Sequence, residues 1–252
     1  MSGAVLPSGW TVMAFDTIGS TNDEALRRAE AGAPEGTVIT ALRQEGGRGR
    51  RGRMWSSPPG NAYSSTIIRP SCPPDLAVQL GFVAALAVCD AAAAGLPPAR
   101  TLRLKWPNDV LADGCKISGI LLESSAGGDG TVDHVVIGTG INVQSAPPAA
   151  VANFPAACLR ELGDGRDASA VLMAYLAALG HRLDQWRAGF AATRADWLAR
   201  AAWLGERVAV TQGQDRIAGR FAGLDDDGAL LLQPDGGAQR RIVSGEVFRP
   251  VE

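Results

Sequence analysis

Residue types that often mark a catalytic class are scarce in this chain of 252 residues. It contains only two histidines, His134 and His181, and neither lies in a recognisable motif. A Ser-His-Asp hydrolase or a histidine-based metal site is therefore not expected. The four cysteines stand far apart without a C-x-x-C pair, which disfavours a zinc site and a disulfide framework. Scattered reduced thiols are typical of a cytoplasmic protein.

The sequence also lacks the signals of membrane insertion, of secretion and of two large nucleotide-binding classes. It has no run of about 18 apolar residues, and Met1 to Trp10 is not a basic segment followed by an apolar one. No Walker A motif and no kinase signature set is present, which excludes the P-loop ATPases and the protein kinases. The net charge of −2 gives no global basic excess, so we expect no specific DNA binding and no membrane attachment.

Lysine is nearly absent. Of 24 basic residues, 22 are Arg, and the two lysines, Lys105 and Lys116, fall in one short segment. An ammonium group is a compact point charge, whereas the guanidinium group is a planar fork. The two lysines are therefore candidates for positions that require a point charge, although so small a number also fits a coincidence.

Apolar periodicity and turn residues predict an α+β protein with a small all-β unit at its C-terminus. The predicted strands of the first part are Trp10–Phe15, Thr37–Leu42, Ala62–Ile68, Leu102–Trp106, Val110–Leu111, Lys116–Ser124 and Val132–Gly138. The predicted helices are Asp23–Ala31, Pro74–Ala94, Ser169–Trp186 and Phe190–Trp203. From Gly205 onwards, four closely spaced short strands predict a β-barrel of about 45 residues. We therefore expect two domains, residues 1–203 and 204–252.

A glycine- and arginine-rich loop follows the second predicted strand. Its glycines Gly47, Gly49 and Gly52 match the spacing G-x-G-x-x-G, but Pro58 and Pro59 follow where a dinucleotide fingerprint needs a helix. The loop carries four guanidinium groups in six residues, from Arg48 to Arg53. It fits a loop that is organised by the phosphate of a nucleotide and a carboxylate. A solvated basic turn is the alternative.

Two further segments place polar side chains at strand ends. Asn108 and Asp109 lie on a predicted turn between strands, and Lys116 begins an apolar strand where a ligand pocket would partly desolvate it. Such a lysine is more often simply exposed. Asn142 follows the Gly-x-Gly turn at Gly138, where its amide could read an adenine edge or merely cap the turn.

In their order and spacing these segments closely resemble the biotin protein ligases, the BirA and holocarboxylase synthetase family. The likeness covers nearly the whole chain, and its most specific part is the Gly-Arg-Gly-Arg-Arg-Gly loop followed by Lys-Trp-Pro-Asn-Asp. The matching segments are Ser20–Asn22, Gln44, Gly47–Arg53 with Trp55, Lys105–Asp109, Lys116 with Gly119–Leu121, Gly138–Asn142 and Gly245–Glu246.

The resemblance implies a mixed β-sheet flanked by helices, of the class II synthetase-like type, followed by an SH3-like β-barrel. It implies that biotin and ATP, with Mg²⁺, give biotinyl-5'-AMP, and that a lysine of a biotin carboxyl carrier protein then takes the biotinyl group. The Ser-Thr-Asn motif begins at Ser20, so we expect no helix-turn-helix domain and no repressor function. The resemblance is compatible with a homodimer, and it leaves the metal ligands unknown.

The resemblance also assigns roles to individual residues. Biotin would be held by Ser20, Thr21, Asn22, Gln44, Gly47, Arg48, Gly49, Arg50, Lys116 and Gly119. The nucleotide would contact Arg53, Trp55, Lys105, Asn108 and Asn142. The catalytic residues would be Lys116, between the biotin carboxylate and the α-phosphate, Arg48 and Arg50 over the intermediate, and Asp109 near the acceptor lysine or the metal.

Two other functions remain open. A lipoate or octanoyl ligase or transferase belongs to the same superfamily, but it lacks the loop seen at Gly47 to Gly52. A non-enzymatic protein that binds DNA or senses biotin is disfavoured by the missing helix-turn-helix motif and by the absence of a basic excess.

Overall fold

The computed structural model describes residues 5–128, 130–148 and 154–249. Its larger part is a seven-stranded mixed sheet in the order β1-β2-β3-β7-β6-β5-β4. The strands are Thr11–Ile18 (β1), Thr37–Gln44 (β2), Ala62–Ile68 (β3), Leu102–Lys105 (β4), Asp109–Ala112 (β5), Cys115–Ala126 (β6) and Val132–Ile141 (β7). Only the β1–β2 pair is parallel, since the other neighbouring strands of this sheet run antiparallel.

Helices cover this sheet. They are Thr21–Glu30 (α1), Pro74–Ala77 (α2), Leu80–Ala93 (α3), Ala168–Arg187 (α4) and Phe190–Ala199 (α5), with a short 3₁₀ helix at Arg50–Gly52. The main hydrophobic core lies where α3 and α4 pack against the sheet, and a smaller core lies under α1. The predicted fold class, a mixed sheet flanked by helices with a small C-terminal β unit, is confirmed.

Most predicted element boundaries differ from the structure by a few residues, and three of the differences have clear local reasons. Strand β1 runs on to Ile18, because its parallel ladder with β2 continues as far as Ile18 opposite Gln44. The long predicted helix at Pro74 is interrupted at Val78 and Gln79 by i→i+3 hydrogen bonds of the 3₁₀ type. Helix α5 ends at Ala199 rather than at Trp203, because the following residues pair with Leu104 of β4.

The segment Pro74–Ala93 is long and apolar enough to cross a membrane by length and composition alone. However, 78% of its most apolar window is buried inside the protein, and twelve residues of α3 belong to the buried set. It is therefore the central helix of the core, and its all-round apolar character follows from contacts on every side.

The C-terminal unit is a five-stranded antiparallel sheet in the order β11-β10-β9-β8-β12. Its strands are Arg207–Gln212 (β8), Asp215–Leu224 (β9), Leu230–Pro234 (β10), Arg240–Ile242 (β11) and Glu246–Phe248 (β12). The predicted boundary near Leu204 agrees with the first of these strands but stays a prediction. The unit packs on the larger part where the Gly228 backbone carbonyl accepts a hydrogen bond from Trp106 Nε1 (3.3 Å).

Candidate active site

A cavity of about 520 Å³ opens between the large sheet, the Gly/Arg loop and the C-terminal sheet. All of the predicted site residues except Gly47 line it. The lining residues among them are Ser20, Thr21, Asn22, Gln44, Arg48, Gly49, Arg50, Arg53, Trp55, Lys105, Asn108, Asp109, Lys116, Gly119 and Asn142. Segments that are separated by more than 100 residues in the sequence therefore meet around one space.

One end of the cavity is a polar wall at the N-terminus of α1. Ser20 caps this helix, and its hydroxyl accepts a hydrogen bond from Asp23 N. The backbone N–H and the hydroxyl of Thr21 both donate to Gln44 Oε1 (2.8 and 2.9 Å). The amide of Gln44 in turn donates to Ser57 Oγ (3.0 Å). Hydrogen bonds within the protein thus hold these groups in place before a ligand arrives, which favours specific binding of a polar ligand.

Another part of the cavity wall holds a carboxylate between two ammonium groups. Asp109 lies 3.0 Å from Lys105 Nζ and 2.5 Å from Lys116 Nζ, with a different carboxylate oxygen facing each lysine. Burial raises the pKa of Asp109, but the positive charges of Lys116 and Lys105 and their hydrogen bonds outweigh it and hold that pKa below its usual range. Both lysines of the chain thus belong to a single cluster.

The two lysines differ in their access to the cavity. The Lys105 side chain is only 6% exposed, and its ammonium lies 5.1 Å from the centre of the Phe154 ring and 5.3 Å from that of Phe248. The Lys116 side chain is 24% exposed and lies 5.3 Å from the Trp55 ring centre. Lys116 is therefore the cation that can meet an incoming anion, while Lys105 is enclosed by aromatic rings and Asp109.

The Gly/Arg loop forms a tight hairpin. Gly49 N donates to Arg53 O (2.7 Å), and Trp55 N donates to Gly47 O (2.9 Å). A Cβ atom on Gly47 would stand 2.5 Å from the Trp55 carbonyl oxygen, so only glycine allows this close approach. Gly47 therefore packs against the backbone at Trp55 and allows the loop to form, and it does not itself line the cavity.

Acidic side chains, an amide oxygen and a backbone carbonyl oxygen contact the arginines of this loop. Arg48 forms an ion pair with Asp23 and lies 3.4 Å from Glu123. Arg50 donates to the side-chain oxygen of Asn108 (3.3 Å) and to the Gly245 carbonyl oxygen (3.4 Å). The expected mutual repulsion of the guanidinium groups is thus offset by acceptors from four other segments.

The C-terminal sheet completes the site. Arg53 Nη1 lies 2.7 Å from Glu246, and Arg51 lies 4.0 Å from the same carboxylate. Glu246 and Phe248 of β12 both line the cavity. The guanidinium of Arg53, which lines the cavity, pairs with Glu246 and so links the loop to the C-terminal unit, while its contact with a nucleotide stays a prediction.

Asn142 was predicted either to read an adenine edge or to cap a turn. Its amide nitrogen donates to the Ala157 carbonyl oxygen (3.2 Å), and a longer contact reaches that of Lys116 (3.4 Å). The side chain is buried and borders the cavity, but its donors are used by backbone. The predicted Gly-x-Gly turn is wrong, because Gly138 and Gly140 lie inside strand β7, so Asn142 caps no turn there. Its amide instead holds the segment after β7, and a contact with adenine stays a prediction.

Two glycines of β7 leave room for cavity side chains. A Cβ atom on Gly138 would stand 2.2 Å from Asn22 Oδ1, and one on Gly140 would stand 2.5 Å from the Trp55 ring. The indole nitrogen of Trp55 is buried and has no hydrogen-bond partner among the described residues. The Trp55 ring therefore fits against bare backbone, with its indole nitrogen turned towards Gly140.

We expect Gly140→Ala to raise the KM for ATP about tenfold or more, because the new methyl group displaces the Trp55 ring. The KM for biotin should change much less. Both constants can be measured from the initial rate of pyrophosphate release. Gly165→Ala, at a glycine with open space around it, provides the matched control. An unchanged KM for ATP in Gly140→Ala would mean that Trp55 does not contact the nucleotide.

The described residues of this site do not form a complete set of metal ligands. Among the described residues, no group of three His, Cys, Asp or Glu side chains stands close enough to hold an ion. Asp109 is already engaged with two lysines. Mg²⁺ commonly binds through substrate phosphates and few protein carboxylates, so a magnesium ion would belong to the ATP rather than to the chain.

Several residues of the site were missed from the sequence. They are Ser57, Ser65, Glu123, Phe154, Glu246 in its loop-fastening role, and Phe248. Phe154 and Phe248 lie in segments without a motif, so no local signal marks them. Gly245–Glu246 matched the family pattern, but the pattern did not indicate that Glu246 faces the loop.

Comparison with known proteins assigns the chain to a family. Residues 14–142 match the model of the biotin/lipoate A/B protein ligase family, and residues 203–249 match the biotin protein ligase C-terminal domain. The biotin–[acetyl-CoA-carboxylase] ligase of Paracoccus denitrificans is 42% identical over 238 residues, which cover 91% of this chain and 96% of that protein. The chain belongs to the biotin protein ligase family.

Other members of the biotin protein ligase family give the same result. The bifunctional ligase/repressor BirA of Bacillus subtilis is 33% identical over 95% of this chain and 74% of that protein. The solved biotin protein ligase from Aquifex aeolicus in complex with biotin and ATP is 31% identical, with a TM-score of 0.78 over 94% of this chain and 97% of that chain. The predictions of the family and of a ligase enzyme are confirmed.

Proposed function

We propose that the chain condenses biotin with ATP to biotinyl-5'-AMP and then transfers the biotinyl group to a lysine of a biotin carboxyl carrier protein. The observation that carries this proposal is the cavity itself, with a prearranged polar wall at Thr21 and Gln44 and an accessible ammonium group at Lys116. The similar Aquifex aeolicus protein was solved with both proposed substrates, biotin and ATP.

In the first step a carboxylate oxygen of biotin attacks the α-phosphorus of ATP. A carbon–oxygen–phosphorus linkage forms, the bond between the α-phosphorus and the bridging oxygen breaks, and pyrophosphate leaves. Two anions must approach each other, so positive groups aimed at the developing charge are the main requirement. We assign this task to Lys116, with Arg48 and Arg50 on the facing loop.

In the second step the acceptor amine, in its neutral form, attacks the carbonyl carbon of the adenylate. An amide bond forms, the bond from that carbon to the phosphate oxygen breaks, and AMP leaves. Asp109 was expected to act near this amine. Its lowered pKa makes it a weak proton acceptor, so we assign it the positioning of Lys116 and Lys105, and the amine proton goes to water.

The Gly/Arg loop supports the same proposal as a cover of the cavity. Its contacts with Asp23, Glu123 and Glu246 hold it over the space where the mixed anhydride would form. Keeping water away from an anhydride protects it from hydrolysis until the acceptor arrives. The acceptor class and the cytoplasmic location are proposed from the names of the bacterial relatives.

The proposal is tested by supplying the purified chain with ATP and either biotin or lipoate. We expect pyrophosphate release and adenylate formation with biotin, and transfer of biotin to an added carrier domain followed by mass spectrometry. Adenylate formation with lipoate alone would overturn the choice of substrate. Biotin binding without any release of pyrophosphate would instead support a biotin sensor.

A further inference from the structure

A carboxylate on β6 contacts both the polar wall and the Gly/Arg loop. The wall includes Asn22, which follows Thr21 in α1 and lines the cavity. Glu123 Oε2 accepts a hydrogen bond from Asn22 Nδ2 (2.7 Å), and Arg48 Nη2 lies 3.4 Å from each Glu123 oxygen. Its side chain is 28% exposed, so it is partly shielded from solvent, and both of its partners, Asn22 and Arg48, line the cavity. The proposed function gives this residue a part only in holding the loop, and no part in recognition of the substrate.

Glu123 determines which way the Asn22 amide points. Asn22 Oδ1 accepts a hydrogen bond from Ser65 Oγ (2.5 Å), while its Nδ2 donates to Glu123. An amide with a donor partner on one side and an acceptor partner on the other has a single favourable orientation. The close approach of Gly138 to Asn22 leaves the side chain no room to move towards β7. The polar wall therefore presents one fixed pattern of donors and acceptors.

The same carboxylate attracts the loop. Among the described residues Arg48 has two acidic partners, Asp23 and Glu123. Asp23 meets the polar wall only through its backbone N–H, which donates to Ser20, whereas the carboxylate of Glu123 itself bonds to Asn22. The Asp23 side chain is 60% exposed, so screening by solvent weakens its pairing. Glu123 is thus the contact through which the position of the ring subsite and the position of the loop depend on each other.

We propose that Glu123 is a positioning residue that couples recognition of the biotin ring to closure of the Gly/Arg loop. This inference rests on the proposed function, because it assigns the ring to the wall that contains Asn22. A ligand that presses on Asn22 alters the hydrogen bond between Asn22 and Glu123. The Glu123 carboxylate then shifts, and the strength of its ion pair with Arg48 changes. The coupling is reciprocal, so a loosened loop also weakens ring binding.

Two substitutions separate the two contacts of Glu123. Glu123→Gln keeps an oxygen that accepts from Asn22 but removes the charge that attracts Arg48. Glu123→Ala removes both. We expect Glu123→Ala to raise the KM for biotin about tenfold, the size typical of losing a charge-assisted hydrogen bond. Glu123→Gln should keep the KM for biotin within about threefold of wild type, yet it should biotinylate bystander proteins more strongly because the loop releases the adenylate.

Two control variants accompany them. Asp23→Asn removes the other partner of Arg48, so it should increase bystander biotinylation, while the KM for biotin should stay within about threefold of wild type, as in Glu123→Gln. Ser124→Ala, at the neighbouring exposed position of the same strand, should alter neither quantity. Thermal melting of each variant shows whether it is folded, and the wild-type rate with biotin in the same assay tests the proposed function separately.

A wild-type KM for biotin in folded Glu123→Ala overturns the proposal. So does Glu123→Gln with wild-type retention of the adenylate, and this second variant decides the question if Glu123→Ala does not fold. Absence of adenylate in the wild-type reaction would instead refute the proposed function, and that outcome is visible before any variant is considered.

Discussion

Replacing Lys116 with Ala should slow adenylate formation at least tenfold, and about 100-fold if it behaves like other single donors to a transition state. Lys116 is the accessible member of the Lys105–Asp109–Lys116 cluster, and Lys105, the one other lysine of the sequence, is too buried to replace it. Its charge is needed most when the biotin carboxylate and the α-phosphate are closest. The loss should therefore appear mainly in kcat, measured by pyrophosphate release at saturating biotin and ATP.

The Lys116→Ala variant should remain folded, because Asp109 keeps its buried partner Lys105. Arg103→Ala is a suitable control, since Arg103 is an exposed cation of the same sheet and its guanidinium donates to the backbone of the neighbouring Leu102. If Lys116→Ala turned over as fast as wild type, Lys116 would have no catalytic role and the cationic end of the cavity would need another explanation.

Replacing Asp109 with Asn should lower the free energy of unfolding by about 3 kcal/mol at pH 7. The substitution leaves the Lys105 ammonium buried without a counter-charge, which is far more costly than the loss of a surface pair. Asp113→Asn is the matched control, because the Asp113 pair with Arg100 is partly exposed and should contribute less than about 1 kcal/mol. Urea denaturation measures both variants.

The same residue predicts a pH dependence. The pKa of Asp109 in the folded protein lies below its value in the unfolded chain. The stabilisation from its ionised form is therefore complete above about pH 4 and is lost as the pH falls through the folded-state pKa. The stability difference between wild type and Asp109→Asn should shrink in that acidic range. A variant as stable as wild type at pH 7 would show that the cluster does not stabilise the fold.

Much of the site could be predicted from the sequence because its residues lie in short motifs. Lys105 to Asp109 and the Gly/Arg loop each have local signals, namely turn residues, glycine spacing and a concentration of charge. The long helices were also predictable, since helical periodicity persists over many residues in Ala168–Arg187. The positions of these elements follow from rules that act over a few neighbours.

The partners of those residues could not be predicted in the same way. Arg53 meets Glu246 across 193 positions, and Asn22 meets Glu123 across 101. Such contacts depend on the order of strands in the sheet and on the docking of the C-terminal unit. Short buried strands resemble one another in composition, so their order leaves little trace in the sequence. The sequence therefore indicated which charges gather but not which carboxylates neutralise them.

The position of Phe248 and Glu246 has a consequence for the behaviour of the whole chain. Both side chains come from β12 yet border a space whose other walls belong to the larger part. A molecule in that space contacts the larger part and the C-terminal unit at the same time and bridges them. Its binding free energy would then stabilise the contact between the two units, and thermal separation of the units would require the molecule to dissociate first.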